Sequence, residues 1–147
     1  MATTPKTAST ALNNAYKVQG VRQLSHEAVI ELKKSNWKVI GIVRDPIDRF
    51  ESAYNFFQYG QCGNFPTGKY ADIKAFTDAV LSGVEDSHWN PQSSMLTICD
   101  KYADLETVPL HIRQNAVKHI ERVEYRLDEL KDFYKNDFKI MGEKWRS

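Results

Sequence analysis

The chain has 147 residues, which is enough for one domain built around a single core. Its 20 lysine and arginine residues are balanced by 19 aspartate and glutamate residues, so the net charge of +1 excludes the basic surface of a bulk nucleic-acid-binding protein. No apolar stretch is long enough to span a membrane and residues 1–10 lack the apolar core of a signal peptide, so the sequence predicts a cytoplasmic or otherwise soluble chain. Cys62 and Cys99 are too few for a disulfide scaffold or a zinc ribbon, which leaves free thiols or one disulfide.

The first predicted element is a turn rich in hydroxyl residues, from Thr4 to Leu12, that leads into a helix ending near Ala15. The start of a helix presents unpaired backbone N–H groups and the positive end of the helix dipole to an anion. The side chains that add hydrogen-bond donors are those of Lys6, Thr7, Ser9 and Thr10. The turn is not a Walker A motif, because the lysine precedes the hydroxyl residues. It has the chemistry of a phosphate cradle, and a disordered leader is the alternative on composition alone.

A short strand around residues 16–23 and a helix over residues 24–34 are predicted next. Ser25 is placed to cap this helix. His26 follows at the start of the helix, where a lone histidine is ordinarily a surface or structural residue.

The central feature is a short apolar run that turns directly into a helix, over residues 37–58. Residues 39–43 are rich in β-branched side chains, which is typical of a parallel strand buried on both faces. The run ends at Arg44, and Asp45 is placed to cap the helix. Ligands of open α/β sheets bind at the carboxyl ends of strands, so Arg44 and Ser52, two turns along the helix, are positioned to clamp a phosphate. The apolar face of the helix is predicted to pack on the sheet through Ile47, Phe50, Ala53, Tyr54 and Phe57.

The second half of the chain is predicted to be largely helical. Helices are expected over residues 72–82 and over residues 111–135, the latter as one long helix or two. Between them, residues 85–96 form a loop anchored by Trp89. Residues 98–107 show no clear pattern.

Several of these segments resemble the sulfotransferases that use 3′-phosphoadenosine 5′-phosphosulfate (PAPS), in particular the carbohydrate enzymes of the heparan and chondroitin type. PKTASTAL, residues 5–12, is similar to the family's 5′-phosphosulfate loop, and VRDPIDRFESAY, residues 43–54, looks like its 3′-phosphate-binding segment. HWNPQ, residues 88–92, and LKDFYKNDFKIMG, residues 130–142, are similar to a later segment and to the C-terminal helix of the family. The resemblance implies an α/β fold with a small parallel sheet flanked by helices. This would be a P-loop-like nucleotide-binding sulfotransferase fold with a helical C-terminal part, formed by residues 1–147 as a single domain.

The resemblance also implies roles for individual residues. The PAPS cofactor would be bound by Pro5, Lys6, Thr7, Ala8, Ser9, Thr10 and Ala11. Arg44 and Ser52 would hold its 3′-phosphate, Lys6 would stabilise the leaving group, and His26 would be the general base, with His88 as its competitor. The acceptor, a hydroxyl-bearing molecule and by resemblance a glycan, would contact His88, Trp89 and Gln92. Transfer would be in line and would require no metal and no covalent enzyme intermediate.

One departure from the family pattern concerns the strand that runs into the 5′-phosphosulfate loop. Only residues 1–4 precede Pro5, which is too short for a strand of ordinary length. The sheet is then unusually small at that point, or is completed by another chain, or upstream sequence is missing. Two other functions therefore stay open: a PAPS- or nucleotide-binding protein of the same fold without catalysis, and a small P-loop-type kinase. The kinase is disfavoured because no Walker B strand ending in aspartate is evident.

Overall fold

The computed structural model describes residues 2–3, 22–59, 68–104 and 125–144. Within these ranges the chain forms both strands and helices. The strands are β1 (Ala2–Thr3), β2 (Arg22–Gln23), β3 (Ile40–Val43) and β4 (Lys101–Asp104). The helices are α1 (His26–Lys34), α2 (Pro46–Tyr59), α3 (Ile73–Leu81), α4 (Ser93–Leu96), α5 (Leu127–Phe133) and α6 (Lys135–Lys144). The described chain is therefore α/β, and its last described part is helical, as the sequence predicts.

The described strands form one parallel sheet in the order β2-β1-β3-β4. The register aligns Ala2 with Arg22 on one side and with Gly41 on the other, and it aligns Gly41 with Tyr102. Because parallel strands run in the same direction, the chain leaves all of them at one edge of the sheet, here called the carboxyl edge. The prediction of a small parallel sheet with helices is confirmed.

Strand β1 bears on the departure noted in the sequence. It contains two residues, Ala2 and Thr3, and it pairs with β2 on one side and with β3 on the other. The structure therefore places a short strand of the sheet directly before the predicted loop.

Strand β3 is buried, as its β-branched residues predict. Ile42 and Val43 are each 1% exposed. Val39, just before the strand, is buried in a cluster with Val29 of α1 and with Cys99. Helix α1 therefore covers the start of the central strand.

Gly41 determines how closely α4 approaches β3. A Cβ atom at this position would lie 2.9 Å from Leu96 Cδ2 and 3.1 Å from Cys99 Sγ. A Cβ atom within 3.0 Å of another atom is essentially not found, so Leu96 would have to shift to accept any larger residue at this position. Cys99 itself is buried, and its Sγ donates to the carbonyl of Met95 at 3.4 Å; Cys62 lies outside the described residues.

Helix α2 begins as predicted, with Asp45 as its cap. Asp45 Oδ1 accepts hydrogen bonds from the backbone N–H groups of Ile47 at 2.9 Å and Asp48 at 3.0 Å. These donors have no partner within the helix, so the carboxylate satisfies them.

The apolar face of α2 is buried, but its described partners are helical and aromatic. Phe50 lies 4.9 Å from Phe76 of α3, measured between ring centroids, and Phe76 lies 5.1 Å from Trp89. The buried cluster consists of Phe50, Ala53, Tyr54, Phe57, Phe76, Val80, Trp89, Leu130 and Tyr134. The expectation that this face packs on the sheet is corrected, because large rings from α3, Trp89 and Tyr134 enclose it instead.

The other helices follow the sequence closely where local capping chemistry fixes their ends. Ser25 Oγ accepts a hydrogen bond from the N–H of Ala28 at 3.2 Å, and Asp72 caps α3 in the same way. Gly83 follows α3 with a φ of +100°, a conformation that glycine adopts readily. Residues 105–124, in which most of the predicted long helix lies, are outside the described residues. The stretch without a clear pattern contains β4. None of the helices described is both long and apolar enough to cross a bilayer.

Candidate functional site

The candidate site lies at the carboxyl edge of the sheet, where β1, β2 and β3 end side by side. Strand β1 is the middle one, so the chain leaves Thr3 between the ends of β2 and β3. Neighbouring strands are about 4.8 Å apart, which separates the ends of β2 and β3 by about 10 Å. The predicted cofactor loop follows β1 and lies outside the described residues; it comprises Pro5, Lys6, Thr7, Ala8, Ser9, Thr10 and Ala11.

Arg44 is the first residue after β3 and is half-buried. Its backbone carbonyl accepts a hydrogen bond from Gln92 Nε2 at 2.9 Å. Helix α2 begins at Pro46, so the positive end of its dipole lies at the carboxyl edge close to Arg44. Ser52 is half-buried in the same helix, and the helical rise puts it about 9 Å along the axis from Pro46. A cation, a helix dipole and a hydroxyl thus belong to one strand–helix unit, which is a suitable set for binding an anion.

His26 is the first residue of α1 and is exposed. The capping hydrogen bond of α1 is made by Ser25, so the imidazole of His26 is not needed to cap the helix. Because β2 ends at Gln23, His26 lies near the carboxyl edge on the opposite side of β1 from Arg44. The sheet therefore brings two predicted site residues to the same edge.

Residues 86–93, here called the HWNPQ segment, are held in place by buried side chains from other elements. Arg49 of α2 donates hydrogen bonds from its terminal nitrogens to the carbonyls of Asn90 and Ser87, each at 2.7 Å. The hydroxyl of Tyr134 donates to the carbonyl of Trp89. Carbonyls without partners are destabilising when they are buried, so these bonds help a segment to pack that contains the buried residues Trp89 and Gln92.

Asp137 of α6 holds the end of the HWNPQ segment, and it is 0% exposed. Its Oδ2 accepts the backbone N–H of Gln92 at 2.8 Å, and its Oδ1 accepts that of Ser93 at 2.7 Å. Hydrogen bonds to an ionised acceptor are stronger than those between neutral groups. Helix α6 is thereby attached to the residue whose side chain contacts Arg44.

Two of the three predicted acceptor contacts are buried. Trp89 is 4% exposed, and its Nε1 donates to the carbonyl of Val84 at 2.8 Å. Gln92 is 1% exposed and contacts Arg44 as described above. The described contacts of both side chains are with the protein itself, and they hold the HWNPQ segment against α2.

His88, the third predicted acceptor contact and the second candidate base, is partly buried. Its Nδ1 lies 2.5 Å from Asp86 Oδ1, and its ring packs against Phe56 and Phe57. These two rings are about 15 Å along α2 from its first residue. His88 is therefore far from the start of α2 at the carboxyl edge, whereas His26 lies near that edge.

Arg49 carries a buried positive charge close to Arg44. Burial lowers the pKa of Arg49 to about 10, and the nearby charge of Arg44 adds to this shift. The shift is opposed by Tyr134, Asp137 and Asp86. The guanidinium remains charged at neutral pH, because this pKa is still well above 7. Burial also raises the pKa of Tyr134, which keeps its hydroxyl protonated as a donor. Arg49 therefore has a like charge, Arg44, and two opposite charges, Asp137 and Asp86, around it.

Sequence reasoning did not identify Arg49, Tyr134 or Asp137 as important. A signal for Arg49 was present, because a charged residue beside Phe50 and one turn before Ala53 borders the apolar face of the helix. No comparable local signal marks Asp137, whose hydrogen-bond partners are 45 and 44 positions away in the chain.

No protein-family model, no curated protein and no solved structure matches the chain. The functional argument therefore depends on the chain's own residues and their geometry. In the ranges that the structure describes, no group of three His, Cys, Asp or Glu side chains is arranged to hold a metal ion.

Proposed function

We propose that this chain binds PAPS and transfers its sulfuryl group to a hydroxyl of an acceptor, which by resemblance is a carbohydrate. The observation that carries the proposal is the common edge at which β1, β2 and β3 end. In the sequence, these strands are followed respectively by the PKTASTAL turn, by His26 and by Arg44. Ligands of parallel α/β sheets bind at such an edge, so this convergence supports a P-loop-like sulfotransferase fold.

In this proposal the 3′-phosphate of PAPS is bound by Arg44 and Ser52 at the start of α2. The position of Arg44 and Ser52 in one strand–helix unit supports this assignment, and the helix dipole favours an anion at the start of α2. Asp45 already accepts the N–H groups of Ile47 and Asp48, so in this proposal the 3′-phosphate is bound by the side chains of Arg44 and Ser52 rather than by these amides.

The reaction in this proposal is a single in-line displacement at sulfur. The acceptor oxygen forms a bond to sulfur while the bond from sulfur to the bridging phosphate oxygen breaks, and adenosine 3′,5′-bisphosphate leaves. Lys6 and the backbone amides of its loop stabilise the negative charge that develops on the leaving oxygen. His26 takes the proton of the acceptor hydroxyl, and its position near the carboxyl edge favours it over His88 as the base.

A second candidate is a protein that binds the same nucleotide without catalysing transfer. The burial of Trp89 and Gln92 favours it, because two side chains assigned to the acceptor by resemblance have their described contacts inside the protein. Nucleotide binding is common to both candidates, so it is tested first.

The binding test is a thermal-shift comparison of adenosine 3′,5′-bisphosphate, adenosine 5′-phosphate, and ATP with Mg²⁺. The bisphosphate at a hundred times its Kd stabilises a folded protein by about 2.7 kcal/mol, whereas the other two are expected to bind much more weakly.

Arg44→Ala should remove most of the preference for the 3′-phosphate. The matched control is Arg126→Ala, because Arg126 is exposed and pairs with Asp78 and Glu129. Stabilisation by ATP with Mg²⁺ alone would support the kinase, and no stabilisation by any nucleotide would overturn the proposal.

The catalytic test measures transfer from labelled PAPS to a panel of glycans. Lys6→Ala should lower turnover strongly, and Lys74→Ala, an exposed lysine of α3, is the matched control. Nucleotide binding without transfer to any glycan, with the wild-type protein, would favour the non-catalytic candidate.

A further inference from the structure

We infer that Asp137, acting through Gln92, positions Arg44, and that this connection determines the preference for a 3′-phosphorylated nucleotide. The inference rests on the proposed function and adds two positioning residues to it. Neither residue is required to touch the nucleotide.

The connection consists of two consecutive hydrogen bonds that run from buried Asp137 to half-buried Arg44. Asp137 binds the backbone N–H of Gln92 at 2.8 Å, and the side chain of Gln92 binds the carbonyl of Arg44 at 2.9 Å. Both Asp137 and Gln92 are at most 1% exposed, so water has little access to the first bond, whereas the second bond ends on the half-buried Arg44. The peptide group between Arg44 and Asp45 is thereby fixed at the junction of β3 and α2.

Fixing that peptide group matters because Arg44 has a long side chain with several rotatable bonds. A binding residue must be held within about 0.5 Å of its productive geometry to be effective. The backbone at a strand–helix junction is not held by a continuous ladder of hydrogen bonds, so a side-chain contact to the carbonyl restricts it directly. Gln92 supplies that contact from outside the strand and the helix.

The orientation of the Gln92 amide is set by Arg44. A carbonyl oxygen can only accept a hydrogen bond, so the Nε2 donor must face it and Oε1 must face away. Within the described part of the chain, this buried Oε1 has no hydrogen-bond partner. Leaving a buried acceptor unpaired is destabilising, and a methionine of similar size would avoid that penalty. Methionine would, however, leave the carbonyl of Arg44 without this donor, so the amide is explained by its bond to Arg44.

Asp137 in turn holds Gln92 in position. Its two carboxylate oxygens bind the N–H groups of Gln92 and Ser93, which fixes the backbone from which the amide extends. Replacing one oxygen with an NH₂ group would set two donors against each other, so Asp137→Asn should loosen this attachment while changing the side-chain volume very little.

The test uses the full chain and isothermal titration calorimetry with adenosine 3′,5′-bisphosphate and adenosine 5′-phosphate. The measured quantity is the ratio of the two Kd values. Gln92→Met and Asp137→Asn should each lower the preference for the bisphosphate by about tenfold, while affinity for the 5′-phosphate stays close to wild type. Replacing a residue that has only a structural role would weaken the binding of both nucleotides to a similar extent, so the ratio of the two Kd values would not change.

Two control variants match these changes. Gln58→Met removes another glutamine with a buried unpaired Oε1, about 18 Å along α2 from its start, and Asp132→Asn changes an exposed aspartate of α5. Both controls should keep the wild-type ratio. Circular dichroism identifies any variant that fails to fold. If either Gln92→Met or Asp137→Asn fails to fold, the other of these two variants decides the outcome.

The possible results separate the inference from the proposed function. A wild-type protein that binds neither nucleotide overturns the proposed function and this inference with it. A wild-type protein that prefers the bisphosphate, together with folded Gln92→Met and Asp137→Asn variants that keep the same preference, overturns only the inference.

Discussion

Replacing Arg49 with methionine tests whether the buried guanidinium holds the domain together. The side chain is 1% exposed and bonds the carbonyls of Asn90 and Ser87, each at 2.7 Å. Methionine keeps most of the apolar contacts of the arginine stem but cannot donate to either carbonyl. Arg49→Met therefore removes the donor from both of these part-buried hydrogen bonds.

The expected loss follows from the two bonds. A hydrogen bond to a charged group contributes about 1.5–3 kcal/mol net, a figure that already includes the loss of hydration. Two such bonds give about 3–5 kcal/mol, allowing for some relaxation of the segment around the smaller side chain. The total stability of a domain is about 5–15 kcal/mol, so the variant should lose a large part of it.

Urea unfolding followed by tryptophan fluorescence measures this change. Trp89 is packed between Phe57 and Phe76, so its emission should report the loss of the core. For a slope of about 2 kcal/mol per molar urea, the midpoint should fall by about 2 M. Arg126→Met is the control, since exposed ion pairs contribute little to stability. An Arg49→Met midpoint equal to that of wild type, at an unchanged slope, would refute the reasoning.

Three further predictions concern packing, acid stability and catalysis. Gly41→Ala should destabilise the fold by about 1–3 kcal/mol in thermal unfolding, because the added Cβ would lie 2.9 Å from Leu96 Cδ2; an unchanged melting temperature would contradict this. Asp100 accepts the backbone N–H of Val39 at 2.9 Å, and this hydrogen bond holds the pKa of Asp100 below its ordinary value. The ionised Asp100 therefore stabilises the fold at a pH above the ordinary pKa, and this stabilisation is lost as the pH falls through the lowered pKa. Asp100→Asn should accordingly make the free energy of unfolding less dependent on pH below about 4, and an identical pH profile would argue against it. His26→Ala should lower sulfuryl transfer by about 10²–10⁴-fold without changing nucleotide affinity, whereas unaltered turnover would exclude His26 as the base.

The parts of the fold that could be predicted from the sequence are those determined by neighbouring residues. Ser25 and Asp45 cap helices by bonding N–H groups two or three positions further along the chain, and both were identified correctly. The β-branched run that becomes β3 also carries its own signal, because burial on both faces requires apolar residues at successive positions. The common edge then follows from strand direction once the strands are known to be parallel.

The parts that could not be predicted depend on distant residues. The apolar face of α2 was recognised, but its partners are rings such as Phe76 and Trp89, and nothing in the helix itself identifies them. Strand β4 was missed because its sequence, KYAD, is short and partly charged and becomes a strand only beside β3. The role of Asp137 is hidden for the same reason, since its backbone partners are in the middle of the chain.

The attachment of the HWNPQ segment to Tyr134 and Asp137 has a consequence for biosynthesis. A ribosome makes residues 86–93 well before residues 134–137, so for an interval the nascent chain presents backbone groups whose permanent partners do not yet exist. Water must solvate those groups until residues 134–137 emerge. The contacts of the HWNPQ segment are thus completed by residues that are translated after it.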